Sequence, residues 1–301
     1  MPIIKALLEN NNKVILGCTS LTEKILEQEF PQLEKIQLPE YAISYSSTMP
    51  IWFKLVSQYS RIKSIINQEH QLLKKLIRSK NIEVVISDNR YGLFSKDALS
   101  IIICHQINLI APFLSKLANK IHVTLLKNFA EVWVPDFEDG SKKLAGELSR
   151  NKNDLKCKYL GPLSRLEKLK TDLEYDYLFL LSGPEPSQST LLGTILAKVK
   201  GVSNKKIFIV SASDEPKELG SAITFVKLPD AKQLSAIISR SRVVVCRSGY
   251  STLMDMHFLE KKELILIPTK GQTEQEYLAE YWNKKFNSVV LKESEIKQYH
   301  F

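Results

Sequence analysis

The chain has 301 residues, a length that holds two ordinary domains or one large one. Its 44 % hydrophobic and 25 % charged residues exclude disordered, collagen-like and fibrous classes, and no apolar run approaches the roughly 18 residues that a membrane span needs. With 42 Lys+Arg against 33 Asp+Glu the formal charge is +9, a bias toward anionic partners such as nucleic acid, sugar nucleotides or an acidic lipid surface.

Pro2, Ile3, Ile4, Leu7 and Leu8 predict an amphipathic opening helix, and Asn10-Asn11-Asn12 predicts its stop. The opening residues do not show the pattern of a secretory signal. Val14–Cys18 reads as a buried strand and holds Gly17, the first of 11 glycines. Further strands are predicted at Glu83–Ser87, Ser100–Cys104, Glu131–Val134 and Cys157–Leu160. The second half adds Tyr177–Leu181, Ile207–Val210, Ile223–Val226, Val243–Cys246, Leu264–Ile267 and Ser288–Leu291. These runs are continuous rather than alternating, as in parallel strands covered on both faces, and helical patterns separate them. The expected class is α/β, with two Rossmann-like, doubly wound domains of residues 1–162 and 163–301 and a linker over 161–172. Ligands of such sheets bind at the carboxyl ends of the strands, so a cleft between the two domains is the expected site.

Four scattered cysteines (Cys18, Cys104, Cys157, Cys246) form no C-x-x-C pair, and the five histidines lack metal-ligand spacing. Buried reduced thiols in a cytoplasmic protein, and no metal, are expected.

The loops after three strands carry the chemistry. Ser182-Gly183-Pro184-Glu185-Pro186 leads into a helix and suits either an anion at the helix N-terminus or ordinary capping. Arg247-Ser248-Gly249 is followed by Thr252 and Asp255. Here Arg247 can pair with phosphate, Gly249 admits a close backbone approach and Asp255 can accept from ribose hydroxyls. The alternatives are a surface ion pair for Arg247, an N-cap at Ser251 and a first-turn charge at Asp255. Pro268 to Tyr277 contains Gln272, Glu274 and Gln275; a capping box from Thr273 to Glu276 explains part of it and leaves Gln272 and Gln275 to face the cleft.

Cys246-Arg247-Ser248-Gly249 with Thr252, Asp255, Pro268 and Gln275-Glu276-Tyr277 resembles the donor-binding domain of MurG-like glycosyltransferases of family 28, with the GT-B fold. The resemblance spans roughly residues 175–291 and implies sugar transfer from a nucleoside diphosphate sugar, UDP-linked, that is substrate rather than cofactor, without a required metal. It implies that the Arg-Ser-Gly loop and the glutamine-bearing loop hold the donor and that Asp255, where the family has Glu, binds the ribose. The Ser182–Pro186 turn is similar to a loop of a less characterised branch. MurG-like chains start with a strand and a glycine-rich, histidine-containing loop, whereas this sequence starts at the helix that follows; a first strand of the first domain is therefore expected to be lacking, through a missing stretch of some 15 to 30 residues.

In the first half, Ser87-Asp88-Asn89-Arg90 and His105-Gln106 follow neighbouring strands. Asp88 or His105 is the candidate base for the acceptor hydroxyl, and Asn89 and Arg90 are acceptor-side candidates; a capped turn and a satisfied histidine are the alternative. Residues 51–80 hold seven Lys/Arg against one Glu. Lys54, Arg61 and Lys75 recur at multiples of seven, opposite Leu55, Ile62, Ile66, Leu73 and Leu76, behind Met49, Ile51, Trp52 and Phe53. A solvated helix face, or a contact with an anionic inner membrane leaflet beside a lipid-linked acceptor, accounts for this pattern. The basic residues do not interleave with aromatics, so nucleic acid is not an expected partner. A sugar-nucleotide epimerase, a non-catalytic nucleotide-sugar binding protein and a truncated fragment are the other functional readings.

Overall fold

A computed structural model describes residues 1–41, 59–110, 115–183 and 185–301. All eleven predicted strands are present, with ends within two residues of those read from the sequence. The chain divides into two units, Met1–Lys143 with Glu147–Gly161, and Leu144–Gly146 with Pro162–Phe301.

In the first unit, α1 (Pro2–Glu9) starts with proline at its first turn and leads into β1 (Ile15–Cys18). After α2 (Ser20–Glu29) comes a strand that the apolar pattern does not reveal, β2 (Glu34–Gln37), because Ile36 is its one aliphatic residue. It pairs in parallel with β1 as a separate two-stranded sheet. The long α3 (Tyr59–Lys80) precedes β3 (Val84–Asp88) and β4 (Leu99–Ile103). With α4 (Ser115–Leu126), β5 (Glu131–Val134) and β6 (Cys157–Tyr159), they complete a parallel sheet of order β3-β4-β5-β6. Its core is Ile102, Ile107, Leu126, Val132 and Val134. Among the described residues β1 and β3 each have one edge without a strand partner.

The second unit is a six-stranded parallel sheet. Its elements are β7 (Tyr175–Leu180), α5 (Ser187–Val199), β8 (Ile207–Ser211), β9 (Ile223–Lys227), α6 (Ala231–Arg240) and β10 (Ser241–Cys246), then α7 (Tyr250–Phe258), β11 (Leu264–Leu266), α8 (Thr273–Phe286) and β12 (Val289–Val290). Strand order is β12-β11-β10-β7-β8-β9. In terms of this unit's own six strands that is 6-5-4-1-2-3, the doubly wound order, whose winding reverses between β7 and β10. The continuous apolar character of β8, buried at every position, follows from helices on both faces. Phe179, Leu191, Ile195, Ile209 and Val245 form its centre.

Leu144–Gly146 packs into this unit, since the Trp282 indole of α8 donates to the Leu144 carbonyl at 2.9 Å. Gly146 has φ +57°, and a Cβ there would collide with the Tyr277 hydroxyl and the Tyr281 ring, so glycine is favoured on both conformational and steric grounds.

Candidate functional site

At the reversal between β7 and β10 the two strand-to-helix loops lie side by side, because the strands pair in register from Ser241–Tyr175 to Cys246–Leu180. Ligands of doubly wound sheets bind at this crevice. The β7 loop exposes Ser182, Gly183 and Glu185. Gly183 has φ +121°, which an L side chain rarely adopts. The Glu185 carboxylate accepts from the Ser189 backbone N–H at 3.3 Å and from the Ser213 hydroxyl at 3.4 Å. The N-terminus of α5 thus already faces a negative charge of its own chain, which disfavours a second anion there.

The β10 loop is built differently. α7 starts at the N-cap Gly249, which has no side chain to cap it, so the expectation of a cap at Ser251 is corrected. A Cβ at Gly249 would meet nothing within 4 Å, so the approach to this helix end is open. Thr252 lies half-buried in the first turn of α7. One turn further, Asp255 accepts from the Ser164 hydroxyl at 2.5 Å. Burial raises its pKa from 3.8 to about 6, against the Ser164 hydrogen bond and the Arg165 charge, which lower it.

Arg247 is not exposed, as its place in the loop suggests, but buried. It is 2 % exposed and donates to the Ile267 carbonyl (3.2 Å), the Glu293 carboxylate (2.5 Å) and the Ser187 hydroxyl (2.9 Å). The neighbouring Ser248 is fully buried and donates to the Gln275 carbonyl at 2.7 Å.

The third loop is closed on itself. Gln275 accepts from the Thr269 backbone N–H at 3.0 Å and donates to the Gln272 side chain at 2.6 Å. Glu276 accepts from the Gly271 N–H at 2.9 Å. The N-cap of α8 is Gln272, so the expected capping box from Thr273 to Glu276 does not form. Gln272 and Gln275, which capping alone leaves unexplained, are accounted for by loop closure. Glu274 lies in the first turn of α8.

In the first unit, Asp88 ends β3, and the Asn89 N–H donates to the Ile103 carbonyl at the end of β4 (3.1 Å). Asp88 is solvent-accessible at the strand tip, yet the surrounding protein desolvates its carboxyl enough to raise the pKa; the Met1 amino terminus and His105 oppose the rise. The structure therefore brings Asp88 and His105 into electrostatic range. The turn after β3 is closed by Ser87, whose hydroxyl donates to the Arg90 carbonyl at 2.7 Å. Asn89 has φ +54°, the left-handed conformation that Asn tolerates best.

Arg90, the acceptor-side candidate, is engaged by groups of its own chain. Its guanidinium pairs with Glu69 at 2.5 Å, donates to the Pro39 carbonyl and lies over the Tyr41 ring. Glu69 is fully buried and also accepts from the Tyr41 hydroxyl (2.7 Å) and the Gly92 N–H (3.1 Å). The sequence marks it, as the single acid among seven basic residues, in a stripe with Ile65, Leu73 and Ile77 at four-residue spacing. That stripe is the buried face of α3, while Arg61, Lys63, Lys74 and Lys75 are exposed. Met49, Ile51, Trp52, Phe53, Lys54 and Leu55 lie outside the described residues. Among the described residues no helix is long and apolar enough to cross a membrane.

Residues 204–300 match the family model of the glycosyltransferase family 28 C-terminal domain. Among solved structures, the glycotransferase of kitacinnamycin superimposes with a TM-score of 0.65 at 13 % identity, covering 97 % of this chain and 81 % of that one. The spinosyn rhamnosyltransferase SpnG, complexed with thymidine diphosphate, gives 0.63 at 10 %, over 99 % and 85 %. MurG of Acinetobacter baumannii gives 0.55 at 11 %, over 98 % and 83 %. A comparison with curated protein sequences finds no match. Two parallel α/β units with these neighbours define a fold of the GT-B glycosyltransferase class. Within that fold class residues 204–300 of the second unit match the family 28 C-terminal domain model, in keeping with the resemblance to MurG-like glycosyltransferases.

Proposed function

We propose that this protein transfers a sugar from a nucleoside diphosphate sugar, UDP-linked, to an acceptor hydroxyl, with no metal required. The observation that carries the reading is the winding reversal between β7 and β10, which sets the Gly183 and Gly249 loops side by side, the Gly249 loop lying within the residues 204–300 that match the family 28 C-terminal domain. The diphosphate binds at the N-terminus of α7, where the N-cap residue has no side chain, rather than at α5, where Glu185 stands. Backbone amides and the helix dipole there stabilise charge as it develops on the leaving diphosphate. Asp255 accepts from the ribose hydroxyls, displacing or sharing its hydrogen bond from Ser164. On the acceptor side Asp88, with its raised pKa and His105 in range, takes the proton as the new glycosidic bond forms and the bond to the diphosphate breaks.

The presence of thymidine diphosphate in SpnG supports a pyrimidine nucleoside diphosphate as the ligand class. The exposed basic face of α3 supports a reading in which the acceptor is lipid-linked at an anionic inner leaflet and the protein works in the cytoplasm or on the inner membrane face. Thermal shift with a panel of nucleotide sugars tests the donor reading. A rise in Tm for uridine-linked donors, lost in Asp255→Ala, is the expected result; a panel in which no nucleotide raises Tm refutes it.

A further inference from the structure

The most deeply buried cation of the second unit sits inside the motif read as a phosphate loop. Arg247 gathers four separate segments: its own loop after β10, the end of β11 through the Ile267 carbonyl, the first residue of α5 through Ser187, and Glu293 in the segment after β12. Glu293 is held in place because the residues behind it dock into the core. Ile296 is fully buried, and Phe301 packs edge-on against Phe179 at 5.1 Å. To reach a phosphate, the guanidinium would have to abandon a carboxylate, a hydroxyl and a carbonyl and leave them unmatched in a buried site, an unfavourable exchange.

We propose that Arg247 and Glu293 form a clamp that positions the nucleotide-binding loops, and that Arg247 is a positioning residue rather than a ligand of the diphosphate. The proposal rests on the donor-site reading above. A clamp holding the ends of β10 and β11 and the start of α5 fixes the whole floor of the site, so its loss weakens every ligand of that site equally, whatever its phosphate number. A direct phosphate ligand behaves differently in two respects. Its loss penalises UDP more than uridine, and neutralising Glu293 would free it and tighten UDP.

The experiment compares uridine, UMP and UDP binding by ligand-observed NMR on wild type, Glu293→Gln, Glu293→Asp and Ser187→Ala, with Tm recorded for each. Expected is a loss of about ten-fold for all three ligands in Glu293→Gln, the size of one charged hydrogen bond, and recovery in Glu293→Asp. Ser187→Ala, which leaves the ion pair intact, gives the same uniform loss at about three-fold and serves if Glu293→Gln does not fold. Unchanged affinities, a loss confined to UDP, or tighter UDP binding in Glu293→Gln each overturn the clamp. If the wild type binds none of the three ligands, the donor-site reading itself fails and the clamp falls with it.

Discussion

Replacing Asp255 by Asn should make the protein more stable and less able to bind nucleotide. The carboxyl has a pKa of about 6 in the folded protein against an ordinary 3.8, chiefly through burial. A rise of that size is equivalent to about 3 kcal/mol between the protonated and ionised forms. The side chain remains partly accessible, so solvent screening brings the figure to about 2 kcal/mol. Because the folded state binds this proton more tightly than the unfolded chain, the stabilisation is fully present below about pH 4 and is lost as pH rises through about 6. Asparagine imitates the protonated acid in shape and neutrality and still accepts from Ser164. The variant should therefore match wild type near pH 4 and exceed it at pH 7.5 by about 4–8 °C in the transition that belongs to the second unit. Calorimetry at pH 4.0, 5.5 and 7.5 reads this difference directly. A constant offset across pH, or no gain at pH 7.5, refutes the account of Asp255 as a carboxylate held ionised at a cost. Nucleotide titration of the same variant should show roughly ten-fold weaker binding if that ionised carboxylate is kept for the ribose.

Three further outcomes follow from the packing. Glu69→Gln leaves Arg90 without its buried counter-charge and should destabilise the first unit by about 3–5 kcal/mol in chemical denaturation, while nucleotide binding by the second unit is unchanged. Gly146→Ala forces a Cβ onto Tyr277 and Tyr281 at a positive φ and should lower the stability of the second unit by about 1–3 kcal/mol, read as loss of the Trp282 fluorescence signal at lower denaturant. Burial pushes the Cys246 thiol up to about 12 and the half-buried Cys157 thiol up to about 11, so alkylation at pH 8 should label Cys157 first and Cys246 only on unfolding, as mass spectrometry of timed samples would show.

The strands were legible because parallel strands buried on both faces are apolar along their centres; Ile207–Val210 and Val243–Cys246 are read from composition alone, and the structure extends them to Ile207–Ser211 and Ser241–Cys246. Glu34–Gln37 was not, because an edge position in a two-stranded sheet relaxes that demand. At the site, the sequence located the loops but not the duties within them. Arginine in a phosphate-type loop, and glutamines beside a capping motif, look available in one dimension. Only the fold brings Glu293, separated from Arg247 by two strands and two helices, close enough to take its charge, or turns Gln275 back onto Thr269. Glu69 shows the converse. A lone acid on a basic helix reads as surface until its four-residue register with Ile65, Leu73 and Ile77 is counted.

The two helix ends flanking the crevice are chemically unequal, and on the donor-site reading proposed above that inequality should orient the donor. Both α5 and α7 point their N-termini at the reversal between β7 and β10, and both follow a glycine-bearing loop. At α5 the positive end of the dipole is met by Glu185, which is exposed and tied to Ser189 and Ser213. At α7 the N-cap is a glycine with open space beyond it, and Arg247, two residues before it, is turned away into the core and paired with Glu293. A diphosphate settling at the N-terminus of α7 would meet backbone N–H groups with Asp255 a turn further along the helix, whereas at α5 it would meet the Glu185 carboxylate at the helix end itself. Glu185 is then left facing the part of the ligand that carries hydroxyls rather than phosphates, and a carboxylate is a good acceptor for those. Converting Glu185 to Gln should therefore leave the affinity for UDP unchanged within about two-fold while weakening a UDP-sugar by roughly three- to ten-fold. If both ligands weaken together, or if UDP tightens, Glu185 lies against the phosphates and the orientation is reversed.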